Sequence, residues 1–301
     1  MPALQVLILA ALVYALHSLW GLERLLAPWR NVPALLILGA IAAQAVSYSL
    51  RALRIYWAEP QIPRGAWHHC LRLVLINNAL NLLLPARTGE VSFPVLMQRY
   101  FGLPLAAGTG TLLWLRLLDL NILLVLSAAL LLPQQFGLGQ TTPALAAGVL
   151  ALAPLAVLAV RSRGIAALAR REGRWTRWAS EALSACPKQI REVLRDLCLT
   201  WAAWLIKLCV LGLVFAALAG VTVSAGVLAA IGGDLSTVLP LHTPGGFGSY
   251  EAGVLLFAGA NQSSVAALLA AAVNLHLLLL GIALIAGTIA WMAPNPVRKS
   301  P

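Results

Sequence analysis

Charged side chains are missing from three long stretches of this 301-residue chain: between Asp119 and Arg161, between Lys207 and Asp234, and between Glu251 and Arg298. Uncharged apolar runs of about 18 residues or more predict helices that cross a bilayer. The pattern predicts spans over residues 105–132, 142–160, 197–220 and 264–292. Residues 2–20 read as a further, retained span, because no basic stretch precedes them as it would in a signal peptide. A soluble fold would have to bury all of these segments at once, so the chain reads as an integral membrane protein.

Two apolar segments resist this layout. Residues 64–100 are broken by Leu84-Pro85-Ala86-Arg87-Thr88-Gly89-Glu90, and residues 223–261 by Leu239-Pro240-Leu241-His242-Thr243-Pro244-Gly245-Gly246. Pro85 and Pro240, Arg87 and His242, and Thr88 and Thr243 share one offset of 155 residues. Pro- and Gly-interrupted segments at matching places in two halves of a membrane protein point to a midplane binding site. The expected fold is all-α and polytopic, with about six full transmembrane helices and two re-entrant helical hairpins, 64–100 and 223–261. The hairpins would enter from opposite faces as an inverted repeat within a single domain, 1–301. The plainer alternative is that residues 64–84 and 226–240 pass straight through.

Charge distribution sets the orientation. Nine of the 21 basic residues lie between Arg161 and Arg195, which marks segment 161–196 as cytoplasmic. With Arg298 and Lys299 near the end, both termini are expected on that side. The net charge of +11 therefore signals anionic leaflet lipids rather than nucleic acid. Over residues 164–185, Ile165, Leu168, Trp175, Trp178 and Ala182 alternate at helical spacing with Arg170, Arg171, Arg174 and Arg177. That is the pattern of an amphipathic helix lying on the leaflet, or of a basic topology-setting loop. Nine of the ten tryptophans, Trp201 and Trp204 among them, fall near expected span ends, where an aromatic belt forms; Trp114 is the exception. Cys70, Cys186, Cys198 and Cys209 have no metal-ligand spacing.

Polar residues placed near the midplane form the candidate site. Arg116 falls about 16 Å along its span, with Asp119 one turn on and on the same face. Asn274 and His276 reach a similar depth in the last span, and the hairpin tips add Arg87, Glu90, His242, Thr243, Gly245, Gly246 and Glu251. Each unpaired charge at that depth costs at least ~2.5–3.5 kcal/mol, so several together argue for a shared wet cavity. Helix N-termini at the tips, with Arg87 and Arg116, suit a phosphate. Plainer readings stand beside this one. Thr88 and Ser249 fit N-caps with Glu90 and Glu251 in the first turn. Arg116–Asp119 fits a structural ion pair, His242 a turn donor and His276 an interhelical contact.

Asn81-x-x-x-Pro85-x-Arg87-x-Gly89-Glu90, Arg116-x-x-Asp119 and Pro240-x-x-Thr243-Pro244-Gly245-Gly246-x-Gly248-x-x-Glu251 resemble the lysylphosphatidylglycerol synthase transmembrane-region family over nearly the whole chain. The resemblance implies a flippase-like domain in the plasma membrane that translocates a lipid or lipid-linked anionic head group, without cofactor or metal. With the chain ending at Pro301, it implies transport without the soluble synthase domain, and so no enzyme. The expected ligands are a lipid with a phosphate head group and, at the Arg170–Arg177 helix, anionic leaflet lipids. Competing readings are an intramembrane lipid-modifying enzyme, a non-catalytic partner of a lipid-synthesis enzyme and a proton-coupled carrier of small solutes. Neither a His-x-x-x-His pair nor a Gly-x-Ser-x-Gly elbow supports the enzyme.

Overall fold

A computed structural model describes residues 21–136, 139–168, 170, 172–238, 244–259 and 263–294. The expected first span, His242, Thr243 and the Arg298–Lys299 tail lie outside the described residues. All regular structure among the described residues is helical. The chain runs through α1 (Leu22–Leu26), α2 (Ala34–Ala58), α3 (Trp67–Leu83), α4 (Ser92–Phe101), α5 (Leu105–Phe136), α6 (Thr141–Leu152) and α7 (Ala156–Leu168). It continues through α8 (Arg174–Ser184), α9 (Ile190–Ala219), α10 (Val223–Val238), α11 (Ser249–Ala258) and α12 (Val265–Met292).

Five segments are long and apolar enough to cross a bilayer: α2, α5, the α6–α7 run Thr141–Leu168, α9 and α12. Pro154 explains the 3-10 turn between α6 and α7, since it cannot donate to the α-helical ladder. Leu35, Leu145, Val149 and Ile289 stay exposed on these helices, which suits a surface solvated by acyl chains. The chain is thus a multi-pass membrane protein.

Helix α9 starts seven residues before the expected 197. The Glu192 carboxylate accepts from the Lys188 and Gln189 N–H groups at 2.7 and 3.3 Å, so a cap draws the charged segment into the helix. Trp204 and Lys207 consequently lie deep along the helix. Trp204 is a buried hydrogen-bonding residue, which corrects its expected place in the aromatic belt. The expected amphipathic helix over 164–185 is also corrected. Residues up to Leu168 finish α7, and only Arg174–Ser184 forms the separate helix α8. A Cβ on Gly110 of α5 would run into the Ala182 carbonyl, so α8 docks directly on the bundle while Trp175 stays exposed.

Helices α3 and α4 form one hairpin through the 3-10 turn Pro85–Val91, and α10 and α11 form another. At 1.5 Å per residue their limbs measure about 25, 15, 24 and 15 Å, short of a ~30 Å hydrocarbon core. They open at opposite ends of the bundle. Near the start of α3, Arg72 donates to the Pro294 and Trp291 carbonyls at 2.7 and 3.4 Å, beside the end of α12. At the mouth of the second hairpin, Ser263 Oγ donates to Ala219 O at 3.5 Å, where α9 ends and α12 begins. Each hairpin sits in its own core: α3 and α4 with Ile55, Leu73, Met97 and Leu118, α10 and α11 with Leu211, Phe215, Ile231 and Leu275.

Small residues let the second hairpin close. A Cβ on Gly232 would strike the Gly253 carbonyl, and one on Gly253 the Gly232 carbonyl. Backbone approach of this kind supplies dispersion contacts where lipid leaves little hydrophobic drive between helices. Gly253→Leu should therefore lower stability in detergent by about 1–3 kcal/mol, the usual cost of overpacking. Gly148→Ala, whose Cβ meets open space, is the control and should leave the unfolding midpoint unchanged or slightly higher. Equal midpoints for both variants would contradict this packing.

At the other end, Thr111 Oγ1 donates to the carboxylate of Glu59, just past α2. Burial raises the Glu59 carboxyl above its ordinary range, and the threonine bond offsets part of that rise. The folded state thus holds this proton more tightly than the unfolded chain, so stability is lost as pH rises from about 4.3, the unperturbed value, through the raised one. Glu59→Gln should flatten that loss and raise the unfolding midpoint at about pH 8 more than at about pH 4. A parallel pH profile for both proteins would contradict the assignment.

Candidate functional site

The tips of the two hairpins meet inside the bundle. Two asparagines one turn apart organise the first: Asn77 Nδ2 donates to Gly89 O and Ser92 Oγ at 3.3 and 2.9 Å, and Asn81 donates to Asn77 at 3.3 Å. A Cβ at Gly89 would collide with the Leu80 carbonyl, so the turn tolerates only glycine there. In the second tip, Gly245, Gly246 and Gly248 take φ of +66°, +77° and +84°, a left-handed region in which a side chain is strained. That turn lays Gly245 against the first hairpin, with its Cβ position 3.9 Å from Leu82 O.

Beside the tips lies a small, open polar cavity of about 110 Å³, below the ~300–1,000 Å³ of a typical enclosed small-molecule site. Asn81 and Glu90 line it from the first hairpin, Asp234 and Tyr250 from the second, and Arg116 and His276 from the long helices. Helices α2 and α9 complete it with Gln44, Arg51, Trp204 and Lys207.

Acid–base pairs join these elements. Lys207 Nζ meets Asp234 Oδ1 at 2.7 Å, tying α9 to α10. Glu90 pairs with Arg116 at 3.0 Å, tying the first tip to α5. Glu251 Oε1 meets His276 Nδ1 at 2.7 Å, while its other oxygen accepts from Gly248 N–H at 2.7 Å. Glu251 is therefore both a capping residue and an interhelical partner. Ser249 lies inside the helix start and donates to Gly246 O at 3.0 Å, which corrects its reading as the N-cap. His276 stacks between Phe247 and Tyr250, with ring centroids 4.6 and 4.5 Å away.

Asp119 is set back from the cavity. Its Oδ1 accepts from Arg54 and from the Trp204 indole, both at 3.0 Å, and Arg116 lies 3.8 Å from its second oxygen. Arg54 donates further to Thr200 Oγ1 at 2.6 Å. This is a buried network that joins α2, α5 and α9, and it holds Trp204 in place.

Of the residues expected at the site, Glu90, Arg116 and His276 line the cavity, and Glu251 supports it through His276. Gly245 and Gly246 shape the second tip. Asn274 does not take part: it is fully buried, accepts from Trp29 Nε1 at 2.8 Å and donates to Leu25 O at 2.7 Å. Side chains two residues apart on a helix point to different faces, so Asn274 and His276 cannot serve one cavity. Arg87 stands in the Pro85–Val91 turn, with its side chain outside the described residues, as are His242 and Thr243. Asp234, which the sequence analysis left out of the candidate site, is a buried wall of the cavity.

Sequence reasoning missed Arg51, Gln44 and Lys207. Arg51 has no carboxylate partner among the described residues; its guanidinium carbon lies 4.8 Å from the Trp204 ring centroid, and its Nε is buried without a hydrogen bond. Lys207 lies at the same 4.8 Å from that ring. The cluster therefore pairs Arg54, Arg116, Lys207 and His276 with acidic side chains, while Arg51 has no carboxylate within ion-pair distance among the described residues. Three or more His, Cys, Asp or Glu side chains do not converge as a metal site anywhere among the described residues.

The profile described as the lysylphosphatidylglycerol synthase TM region matches residues 3–287. No curated protein and no solved structure matches the chain. The hairpin-tip glycines, the Glu90–Arg116 contact and the Glu251–His276 pair all lie inside that match, and it takes in almost every described element. The chain belongs to the lysylphosphatidylglycerol synthase transmembrane-region family.

Proposed function

We propose that this protein moves a lipid, or a lipid-linked group, with an anionic head between the two leaflets by alternating access around the hairpin cavity. The observation that carries the reading is Arg51, an arginine without an ion-pair partner among the described residues, in a polar cavity where two short hairpins meet. Limbs too short to span, opening at opposite ends of the bundle, support re-entrant hairpins in an inverted repeat. Such repeats rock around a central site in many secondary transporters. The head group would occupy the cavity while its acyl chains stay in the bilayer.

The basic end, with Arg64, Arg99, Arg161 and Arg191, is the cytoplasmic end on this reading, in a plasma membrane. There α8 presents exposed Arg174, Trp175 and Arg177 to anionic head groups while Ala182 anchors it to α5. That surface also suits a partner enzyme of lipid synthesis. Translocation, not covalent change, is the activity proposed, because every carboxylate at the cavity is committed to a basic partner or a helix cap.

Arg51 makes the cleanest test. Its removal strands no buried carboxylate, whereas breaking Lys207–Asp234 would cost about 3–5 kcal/mol of stability. In vesicles reconstituted with the purified protein, a fluorescent anionic phospholipid should change leaflet faster than in protein-free vesicles. Arg51→Gln should slow that transfer about tenfold or more, the scale of one charge-assisted hydrogen bond, with its unfolding midpoint unchanged. Wild-type transfer by Arg51→Gln, or no transfer by the wild type, would contradict the proposal.

A further inference from the structure

The acid–base pairs of the two halves differ in the base. Glu90 and Asp119 are held by Arg116 and Arg54, both at 3.0 Å, and arginine does not give up its proton in a protein. Around the second hairpin Asp234 meets Lys207 and Glu251 meets His276, both at 2.7 Å. An ordinary lysine loses its proton only near pH ~10.4, whereas histidine does so between about pH 5 and 8. Of these four pairs, only Glu251–His276 is built to change charge near neutrality. It joins α11 to α12, and the same carboxylate closes the hairpin tip through the Gly248 N–H. A change of charge at this pair therefore acts on the tip itself.

The geometry also gives the proton a route. His276 lines the cavity and Glu251 does not. With the carboxylate as acceptor, Nδ1 keeps its hydrogen on Oε1, and Nε2 has no hydrogen-bond partner among the described residues. Nε2 is thus the atom at which cavity water adds or removes a proton, turning imidazole into imidazolium and back. The Phe247 and Tyr250 rings on either side, 4.6 and 4.5 Å away, favour the cation. Facing the pair across the cavity are Asp234 of α10, Lys207 of α9, Arg51 of α2, Arg116 of α5 and Glu90 of the first tip, with Tyr250 on α11 itself. From α3 come the neutral Asn78 and Asn81, and α1 touches α12 on the Asn274 face instead.

We infer that transport is coupled to protons: one proton is taken up at His276 with each anionic group that enters the cavity, travels the same way and leaves with it. An anion adds one negative charge to a site set in hydrocarbon, where net charge is expensive, and a proton on Nε2 cancels it. The contribution of every other side chain is the same before and after, so the sign of the coupling does not depend on them. By linkage, the anion favours the imidazolium as much as the imidazolium favours the anion. Glu251 is the positioning residue, which fixes the ring and balances its charge. The inference rests on the transport reading for the movement, but not for the linkage between anion and proton.

Two measurements on the full chain test this. In vesicles holding the wild type and the fluorescent anionic phospholipid, a pH difference of about one unit should drive the lipid toward the alkaline leaflet, up to about tenfold for one proton per lipid. A protonophore that collapses the gradient should return the two leaflets to equality. His276→Gln can still donate to Glu251 but cannot take a proton, and it should show no gradient-driven accumulation at any transfer rate. The second measurement needs neither transport nor a variant that folds. In detergent, nitrogen NMR of histidine-labelled wild type at one fixed pH near neutrality should show the imidazolium share of His276 rise on adding phosphatidylglycerol, and stay unchanged with the net-neutral phosphatidylcholine. Accumulation that survives in His276→Gln, or an imidazolium share indifferent to phosphatidylglycerol, would overturn the inference. Wild-type transfer that ignores the gradient would sink proton coupling and leave transport standing. Linked protonation of His276 without any transfer would instead sink the transport reading and leave the anion–proton linkage in place.

Discussion

A charge inside this bundle must find a counter-charge or a polar ligand, because neither hydrocarbon nor packed leucine can solvate it. That constraint organises the molecule. Lys207–Asp234, Glu90–Arg116, Glu251–His276 and Arg54–Asp119 each join two elements that sequence distance keeps apart. The pairs pin the hairpin tips to the long helices, and beside the tips lies a cavity in which Arg51 has no ion-pair partner among the described residues. Losing either member of a buried pair strands the other, so the network is costly to alter one residue at a time. Its specificity of arrangement, more than its net energy, is what the pairs supply to the fold.

Glycine does the complementary work on the apolar side. Gly232 and Gly253 let α10 and α11 touch along their backbones, Gly212 and Gly226 do the same for α9 and α10, and Gly110 seats α8 on α5. In a solvent as apolar as the side chains themselves, such close approach replaces hydrophobic burial as the source of contact. The second hairpin is thereby held as a thin double rod whose tip reaches the first. Polar pairs set where the tips stop, and small residues allow them to get there.

Much of this was legible beforehand, and the parts that were not share a cause. Pro85 and Pro240 marked the breaks, because proline and glycine act locally whatever surrounds them. Glu90, Arg116, Glu251 and His276 stood out because polar residues are rare in such segments. Arg51 and Arg54 lie near the end of α2, where basic residues ordinarily just set topology, so their sequence context hid their depth and separate roles. Trp204 was misjudged and Lys207 missed because the start of α9 depends on the Glu192 cap, and seven residues moves a side chain by about 10 Å. Asn274 was misassigned by depth alone, though its spacing of two from His276 already placed it on another face.

The account stands on two short hairpins opening at opposite ends of the bundle and meeting within it. Sided labelling in oriented vesicles measures this directly. In a chain with its four native cysteines replaced by alanine, single cysteines at Arg64 and Gln98 bracket the first hairpin, and cysteines at Val223 and Ser263 bracket the second. A membrane-impermeant maleimide should reach Arg64→Cys and Gln98→Cys from one face only, and Val223→Cys and Ser263→Cys only from the other. Labelling of the two ends of either hairpin from opposite faces would make that segment a pair of crossing helices and contradict the account.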